Sequence, residues 1–379
     1  MDCAACHTAN VDGARFCAKC GALLPTPSAE DKDSLIGQIV GGRYRVTQLL
    51  GEGGMGRVYV AEQQMGTNVR KVAVKTLQSQ YAQDPQVLAR FHRECGTVSE
   101  LEHPNTIHFF DFGQTPDGQL YIAMEFVQGQ SLSAALQQGP MRPERVLKIL
   151  AQVCGSLEEA HGRGVVHRDL KPDNIILTTR AGQADFVKVL DFGIAKRSEA
   201  KDKAQEQKLT QQGMVLGTPP YMSPEQFSGK ELDARSDIYS LGVMAYEMLT
   251  GRLPFEADTA WEWATAHMTA APFPFESIPA AAGVPSPMKQ AILRALSKDR
   301  GDRQPDVRRF YEDLANAGTG VAAAPPIAVA HPAGGTAAMP AMGAAGGAGS
   351  NPGFTPQPVA HATPGGQAFP APPPPPAAR

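Results

Sequence analysis

The chain has 379 residues, of which 35 are basic, 38 acidic and 42% apolar, a balance that excludes a collagen-like, membrane-spanning or wholly disordered polymer. Its net charge of -3 supplies no basic footprint for nucleic acid. Residues 317–379 stand apart with 19 Ala, 14 Pro, 11 Gly and a single charge, Arg379, so the charged surface belongs to the first 316 positions, enough chain for a two-lobed domain and a small appendage.

Four cysteines open the chain as two C-x-x-C pairs, Cys3 with Cys6 and Cys17 with Cys20. Four thiolates suit tetrahedral zinc, and each short pair lets one turn supply two ligands. The ten residues between the pairs are fewer than the roughly 15 to 20 of common zinc ribbons. The segment nevertheless resembles the small ribbon of many bacterial proteins, with Phe16 ahead of its second pair. So short a stretch cannot fold on apolar burial alone, and a structural Zn2+ would supply what is missing; a redox pair or unbound thiols are the alternatives. No basic region followed by an apolar core marks a secretory signal, and no run reaches the roughly 18 to 20 apolar residues that cross a bilayer. A cytoplasmic chain with reduced thiols is the expectation. The ribbon is assigned to residues 1–24, and Pro25-Thr26-Pro27-Ser28 opens a linker over 25–43 with acidic Glu30, Asp31 and Asp33.

Three strand-like runs follow, at 44–50, 57–61 and 71–77, each rich in Val, Leu or Tyr and punctuated by Gly. Between the first two lies Gly51-Glu52-Gly53-Gly54-Met55-Gly56-Arg57-Val58. A G-x-G-x-x-G-x-V sequence inside a hairpin, away from any helix N-terminus, argues against a dinucleotide-binding turn. Glycines let backbone N–H groups approach phosphate oxygens closely; taken alone, the same residues read equally as a flexible hairpin. Val72-Ala73-Val74-Lys75 ends an apolar strand on one lysine, a residue that is ordinarily solvated. Asp84-Pro85 then starts a helix whose Leu88, Phe91, Cys95 and Val98 share a face. Glu94, beside that stripe, offers Lys75 a carboxylate that would hold it against phosphates. The stretch 121–127 reads as a strand running into a connector, and Val146, Leu150, Val153 and Leu157 mark a second helix, stopped by Gly162 and Gly164. Strands first and helices afterwards predict an α+β body over 44–314, small and sheet-rich at one end, larger and helical at the other.

The decisive stretch is His167-Arg168-Asp169-Leu170-Lys171-Pro172-Asp173-Asn174, followed by Asp191-Phe192-Gly193. With the glycine loop and V-A-V-K ahead of it, the chain resembles a eukaryotic-type (Hanks-type) serine/threonine protein kinase of the bacterial branch over roughly residues 44–314. The resemblance implies a two-lobed protein-kinase fold that passes the γ-phosphate of Mg-ATP to Ser or Thr hydroxyls of proteins, itself among them. Phosphoryl transfer is helped mainly by positioning and by cations. Lys75 would contact the α- and β-phosphates with Glu94 bracing it, Asn174 and Asp191 would hold Mg2+ (or Mn2+) as hard oxygen ligands, Asp169 would accept or orient the substrate hydroxyl, and Lys171 would lie near the γ-phosphate. The nucleotide would be bounded by Leu50, Gly51, Glu52, Gly53, Gly54, Met55, Gly56, Val58, Ala73, Met124 and the backbone of Glu125 and Val127.

The resemblance also sorts the remaining residues. His167 invites a general-base reading, which is rejected, because in the family this histidine packs against the phenylalanine that is Phe192 here. Asp111-Phe112-Gly113, a second D-F-G, follows His103-Pro104-Asn105 and is structural. The polar segment after Asp191 becomes an activation loop, in which phosphate on Thr210 would answer the charge of Arg168. Thr218 would seat the acceptor, Glu225 of Ser223-Pro224-Glu225 would pair with Arg303, and Asp237 would brace the catalytic loop. A homodimer of kinase domains is an arrangement the resemblance allows. The segment 315–379 is expected to be a disordered, Ala/Pro/Gly-rich tail whose run Pro372–Pro376 suits polyproline II.

Overall fold

The computed structural model describes Thr8 and residues 35–53, 56–77, 85–193 and 218–316. Cys3, Cys6, Cys17 and Cys20, the loop residues Gly54 and Met55, Asp84, Thr210 and the tail from 317 on lie outside the described residues.

Six strands, β1 (Ile39–Val40), β2 (Tyr44–Gly53), β3 (Gly56–Met65), β4 (Asn68–Leu77), β5 (Phe109–Gln114) and β6 (Leu120–Glu125), form one antiparallel sheet in the order β1-β2-β3-β4-β6-β5. Side chains alternate across each strand. Tyr44 and Val46 of β2 are buried while Arg45 and Thr47 are exposed. In β4, Val72 and Val74 turn to the outer face with Tyr59, Ala61, Tyr121 and Ala123. Ala73 and Leu77 turn to the inner face, against Phe91, Cys95 and Val98 of helix α1 (Pro85–Ser99). Both faces of β4 are covered at Val72, Ala73 and Val74, which is why those three residues are apolar without alternation. The three strands expected between 44 and 77 are all present and longer at their ends.

The stretch 25–43, expected as linker, contributes to the fold in its last part. Ile39 and Val40 pair with Arg45 and Tyr44, and Leu35 packs on the outer cluster. Two paired residues are too few to show a period, which is why this edge strand is invisible in the sequence. Asp111 of the second D-F-G lies in β5 and accepts hydrogen bonds from the hydroxyls of Tyr44 and Tyr121. It ties the outer face together, as a structural role requires.

The second lobe begins with β7 (Gln130–Ser131), α2 (Leu132–Leu136) and α3 (Pro143–Gly162), continues through β8 (Ile175–Arg180) and β9 (Gln183–Val189), and is completed by α4 (Pro224–Phe227), α5 (Ala234–Thr250), α6 (Ala260–Thr269), α7 (Ser286–Ala295) and α8 (Val307–Ala315). Strands β7, β8 and β9 make a small antiparallel sheet. Val146, Leu150, Val153 and Leu157 of α3 are all fully buried, at the positions their spacing predicts. Helix α5 is covered on every side from Ser236 to Tyr246, the mark of a helix at the centre of a core. Glu225 and Arg303 form a bidentate pair beside it, with contacts of 2.7 and 2.9 Å. Burial alone would raise the Glu225 pKa, yet the Arg303 guanidinium and the Ser236 hydroxyl hold it below the usual carboxylate range. Among the described residues no helix is long and apolar enough to cross a membrane.

Candidate active site

The loop from His167 to Asn174 owes its shape to Asp237, in the first turn of α5. One carboxylate takes the backbone N–H of His167 at 2.8 Å and that of Arg168 at 3.0 Å, and the His161 ring at 2.8 Å. Burial opposes ionisation of Asp237, but these partners outweigh it and its pKa falls. Arg168 sits at φ +67, a left-handed conformation that a residue with a β-carbon holds only when its surroundings impose it. The backbone clamp at Asp237 is that imposition. The Gln226 amide adds a hydrogen bond to the Arg168 carbonyl at 2.7 Å.

His167 is spoken for. Its Nε2 donates to the Leu190 carbonyl at 2.8 Å, its Nδ1 accepts from the Asp169 N–H at 3.3 Å, and its ring packs on Phe192 at 4.8 Å between centroids. Burial lowers its pKa, so the ring is neutral and both nitrogens are occupied. A free general base needs at least one of them.

Three side chains converge on Asp169. The Asn174 amide nitrogen donates to the Asp169 carbonyl at 2.8 Å and approaches its carboxylate at 3.4 Å. The Lys171 ammonium stands 3.5 Å from that carboxylate and donates to the Thr218 hydroxyl at 2.7 Å. Thr218, 47 positions from Lys171 in sequence, thus reaches the same point. From the opposite side of the cleft, Lys75 at the end of β4 places its ammonium 2.8 Å from the Asp191 carboxylate. Burial favours the neutral acid at Asp191, and the Lys75 charge overrides it, so the pKa is lowered. Asp191 is at φ +52. Two residues on, the Gly193 N–H donates to the His167 carbonyl at 3.0 Å, and a β-carbon there would lie 2.8 Å from that oxygen, so only glycine allows the two segments to meet.

Glu94 stands half-buried on α1 beside Cys95, but the ion pair that Lys75 makes is with Asp191. A Lys75–Glu94 pair is not among the ion pairs of the described residues. In this conformation the carboxylate that follows β9 occupies the ammonium.

The glycine segment forms the β2–β3 hairpin, with Gly51 opposite Val58, Glu52 opposite Arg57 and Gly53 opposite Gly56. Gly56 has φ +146, and a β-carbon on it would fall 1.8 Å from the Thr76 carbonyl oxygen. Glycine is thus obligatory where the hairpin crosses β4. Val58 is cross-strand from Lys75, and Ala73 from Met124. Leu50 is exposed, and Ala73 and Met124 are buried on the inner face. Glu125 ends β6, its N–H engaged by the His108 carbonyl at 2.9 Å, and Val127 follows in the connector. Residues that the sequence did not single out also shape this region. Among them are His161, Gln226 and Lys188; Gln226 was legible through its place three residues after Ser223, where a capping box puts a glutamine.

Two lobes joined by one connector, with Lys75 and the hairpin above and Asp169, Asn174 and Asp191 below, define a protein-kinase-type cleft. The family model for the protein kinase domain matches residues 44–307, and the chain belongs to that family. It is 46% identical over 285 residues to serine/threonine-protein kinase pkn3 of Myxococcus xanthus, which covers 75% of this chain and 51% of that protein. It is 36% identical over 288 residues to serine/threonine-protein kinase PrkC of Bacillus subtilis, covering 75% of this chain and 42% of that protein. The chain spans about half the length of the curated relatives it matches, or less. Among solved structures, the kinase domain of PknI from Mycobacterium tuberculosis matches with a TM-score of 0.56 and 27% identity, covering 75% of this chain and 99% of that one.

Proposed function

We propose that this chain is a serine/threonine protein kinase of the non-specific class, transferring the γ-phosphate of Mg-ATP to protein hydroxyls, its own included. The observation that carries the reading is the convergence on one cleft of Lys75, Asp191, Asn174, Asp169, Lys171 and Thr218. Transfer forms a bond between the acceptor oxygen and the γ-phosphorus, breaks the bond from that phosphorus to the bridging oxygen of ADP, and releases the hydroxyl proton. In this reading Asp169 takes or orients that proton, while Lys171 neutralises charge beside it and holds Thr218 as part of the acceptor's seat.

Lys75 keeps its ammonium where phosphate charge accumulates. The donor set fits a divalent ion: the Asp191 carboxylate is ionised, and the Asn174 nitrogen is committed to Asp169, which leaves the amide oxygen as a hard ligand. Bound Mg2+ or Mn2+ supplies positive charge to the phosphate oxygens. The hairpin over 50–58 covers the phosphates, and Ala73, Met124 and the backbone of Glu125 and Val127 receive the base. The serine/threonine preference is supported by Lys171 and by the names of the matched relatives. Phosphate on Thr210 orders the activation segment through Arg168. A transient pair of kinase domains suffices for self-phosphorylation. The four cysteines of residues 1–24 hold a structural zinc, and reduced thiols at Cys95 and Cys154, both free, accord with a cytoplasmic setting.

Phosphosite mapping tests this reading. Phosphatase-treated protein incubated with Mg-ATP gains phosphate on Thr210, while Asp169→Asn alone gains none. An unmodified wild-type chain, or an Asp169→Asn chain that modifies itself equally, would overturn it.

A further inference from the structure

Lys188 of β9 is the one lysine buried among the described residues, with 8% of its surface exposed. Its neighbours Val187 and Val189 face the core, so strand alternation turns Lys188 to the other side. There its ammonium donates to the Glu125 carboxylate at 2.7 Å and to the Thr106 carbonyl at 3.2 Å. These groups line a cavity of about 1250 Å³ behind the connector between the lobes. Apart from Glu125 and Val127, none of the residues assigned to the nucleotide lines it.

The two ends of this contact are well fixed. Glu125 closes β6 and opens the connector, and its N–H is held by His108. On the other side, Val189 is bonded to Asn105 and Ile107, and the Leu190 carbonyl to His167. Asp191 comes next. One ammonium therefore spans from the backbone that receives the base to the strand that delivers the ionised carboxylate. An ion pair that takes its ammonium largely out of water is a poor device for stability, since apolar side chains of the same size serve as well or better. Its value lies in geometry, because an ammonium shared by a carboxylate and a carbonyl fixes the separation of the elements that carry them.

We propose that Lys188 is a positioning residue for the nucleotide: held between Glu125 and Thr106, it sets the spacing between the connector and Asp191, so that base and phosphates are engaged together. The proposal rests on the kinase reading of the cleft, since it assumes that the ligand carries both a base and phosphates. It acts through Glu125 and touches no reacting atom.

Calorimetric titration of the full chain with Mg-ATP and, separately, with magnesium tripolyphosphate tests the proposal. Lys188→Met weakens ATP binding about tenfold and tripolyphosphate less than about twofold, since only the ligand with a base reads the spacing. Glu125→Gln, which leaves the ammonium in place, reproduces the loss even should Lys188→Met fold poorly. The double variant is no worse than either single one, as partners in one contact require, and Lys188→Arg recovers to within about threefold. Unchanged ATP affinity, equal loss of both ligands, or additive losses would overturn the proposal. The readout is binding, so a chain that binds ATP yet labels no hydroxyl defeats the phosphotransfer reading while the comparison for Lys188 stands. A wild type that binds neither ligand defeats both.

Discussion

His267 shows what burial does to a single titratable side chain. It lies fully buried in α6, its ring against Phe227, Tyr239, Phe255 and Trp263, with Nδ1 hydrogen-bonded to the Tyr239 hydroxyl at 2.9 Å. Burial, helped by the Lys298 cation, pushes its pKa down from 6.5 to about 3. The folded chain then refuses a proton that the unfolded chain accepts below about pH 6.5, so stability is lost as pH falls from there towards 3. Between pH 7 and pH 5 the loss from this one group comes to about 2 kcal/mol. Urea unfolding at the two pH values should show His267→Gln losing less than wild type by about that amount; parallel losses in the two proteins would contradict the assignment. Asp237 and Asp191 illustrate the opposite outcome, since their partners defeat burial and keep both ionised.

At this same scale the sequence was legible where a motif names both partners. Glu225 with Arg303, and Asp237 with the backbone at His167 and Arg168, meet as the family resemblance implied. Lys75 was legible as a residue of the cleft but its partner was not. Which carboxylate reaches an ammonium depends on how α1 and the end of β9 are placed, and spacing along the chain carries no record of that. Lys188 left no trace because a lysine in an alternating strand reads as solvent-facing; only the Glu125 and Thr106 contacts reveal that its ammonium is held and covered.

Among the elements, those with a long period were read well. Helix α3 buries the four residues that its spacing assigned, and the glycine segment forms the expected hairpin because Gly56 alone fits against Thr76. Short elements escaped. β1 and β7 have two residues each, too few for any alternation, and their pairing is imposed by neighbours distant in sequence. The element that carries its own chemical signature is the cysteine segment over 1–24. Four thiolates at this spacing predict about one zinc per chain. Elemental analysis of the purified protein checks it, with Cys17→Ser expected to lower the content; a zinc-free chain with all four thiols reduced and titratable would contradict the ribbon.

For the whole molecule, the useful division is between the lobe built on a six-stranded sheet and the lobe built around α5. Lys75 and the hairpin belong to the first, while Asp169, Lys171 and Asn174 follow from a loop that α5 anchors through Asp237, and Asp191 lies on the segment that Gly193 ties to that loop. A cleft so made has Lys75 on one side and its acids on the other, while the inner face of the sheet and α5 share one continuous apolar core. The α+β order and the two lobes could be foreseen from the order of periods along the chain. Their closure could not, because it rests on contacts such as Lys75 with Asp191 that join residues 116 positions apart.

Transfer of label from ATP carrying 32P at either the γ- or the α-position, with Mg2+ and the full chain, tests the central claim most directly. Label from the γ-position alone should appear on Ser or Thr, and should vanish in Asp191→Asn. Absence of γ-label on every protein present, or label arriving equally from the α-position, would contradict it.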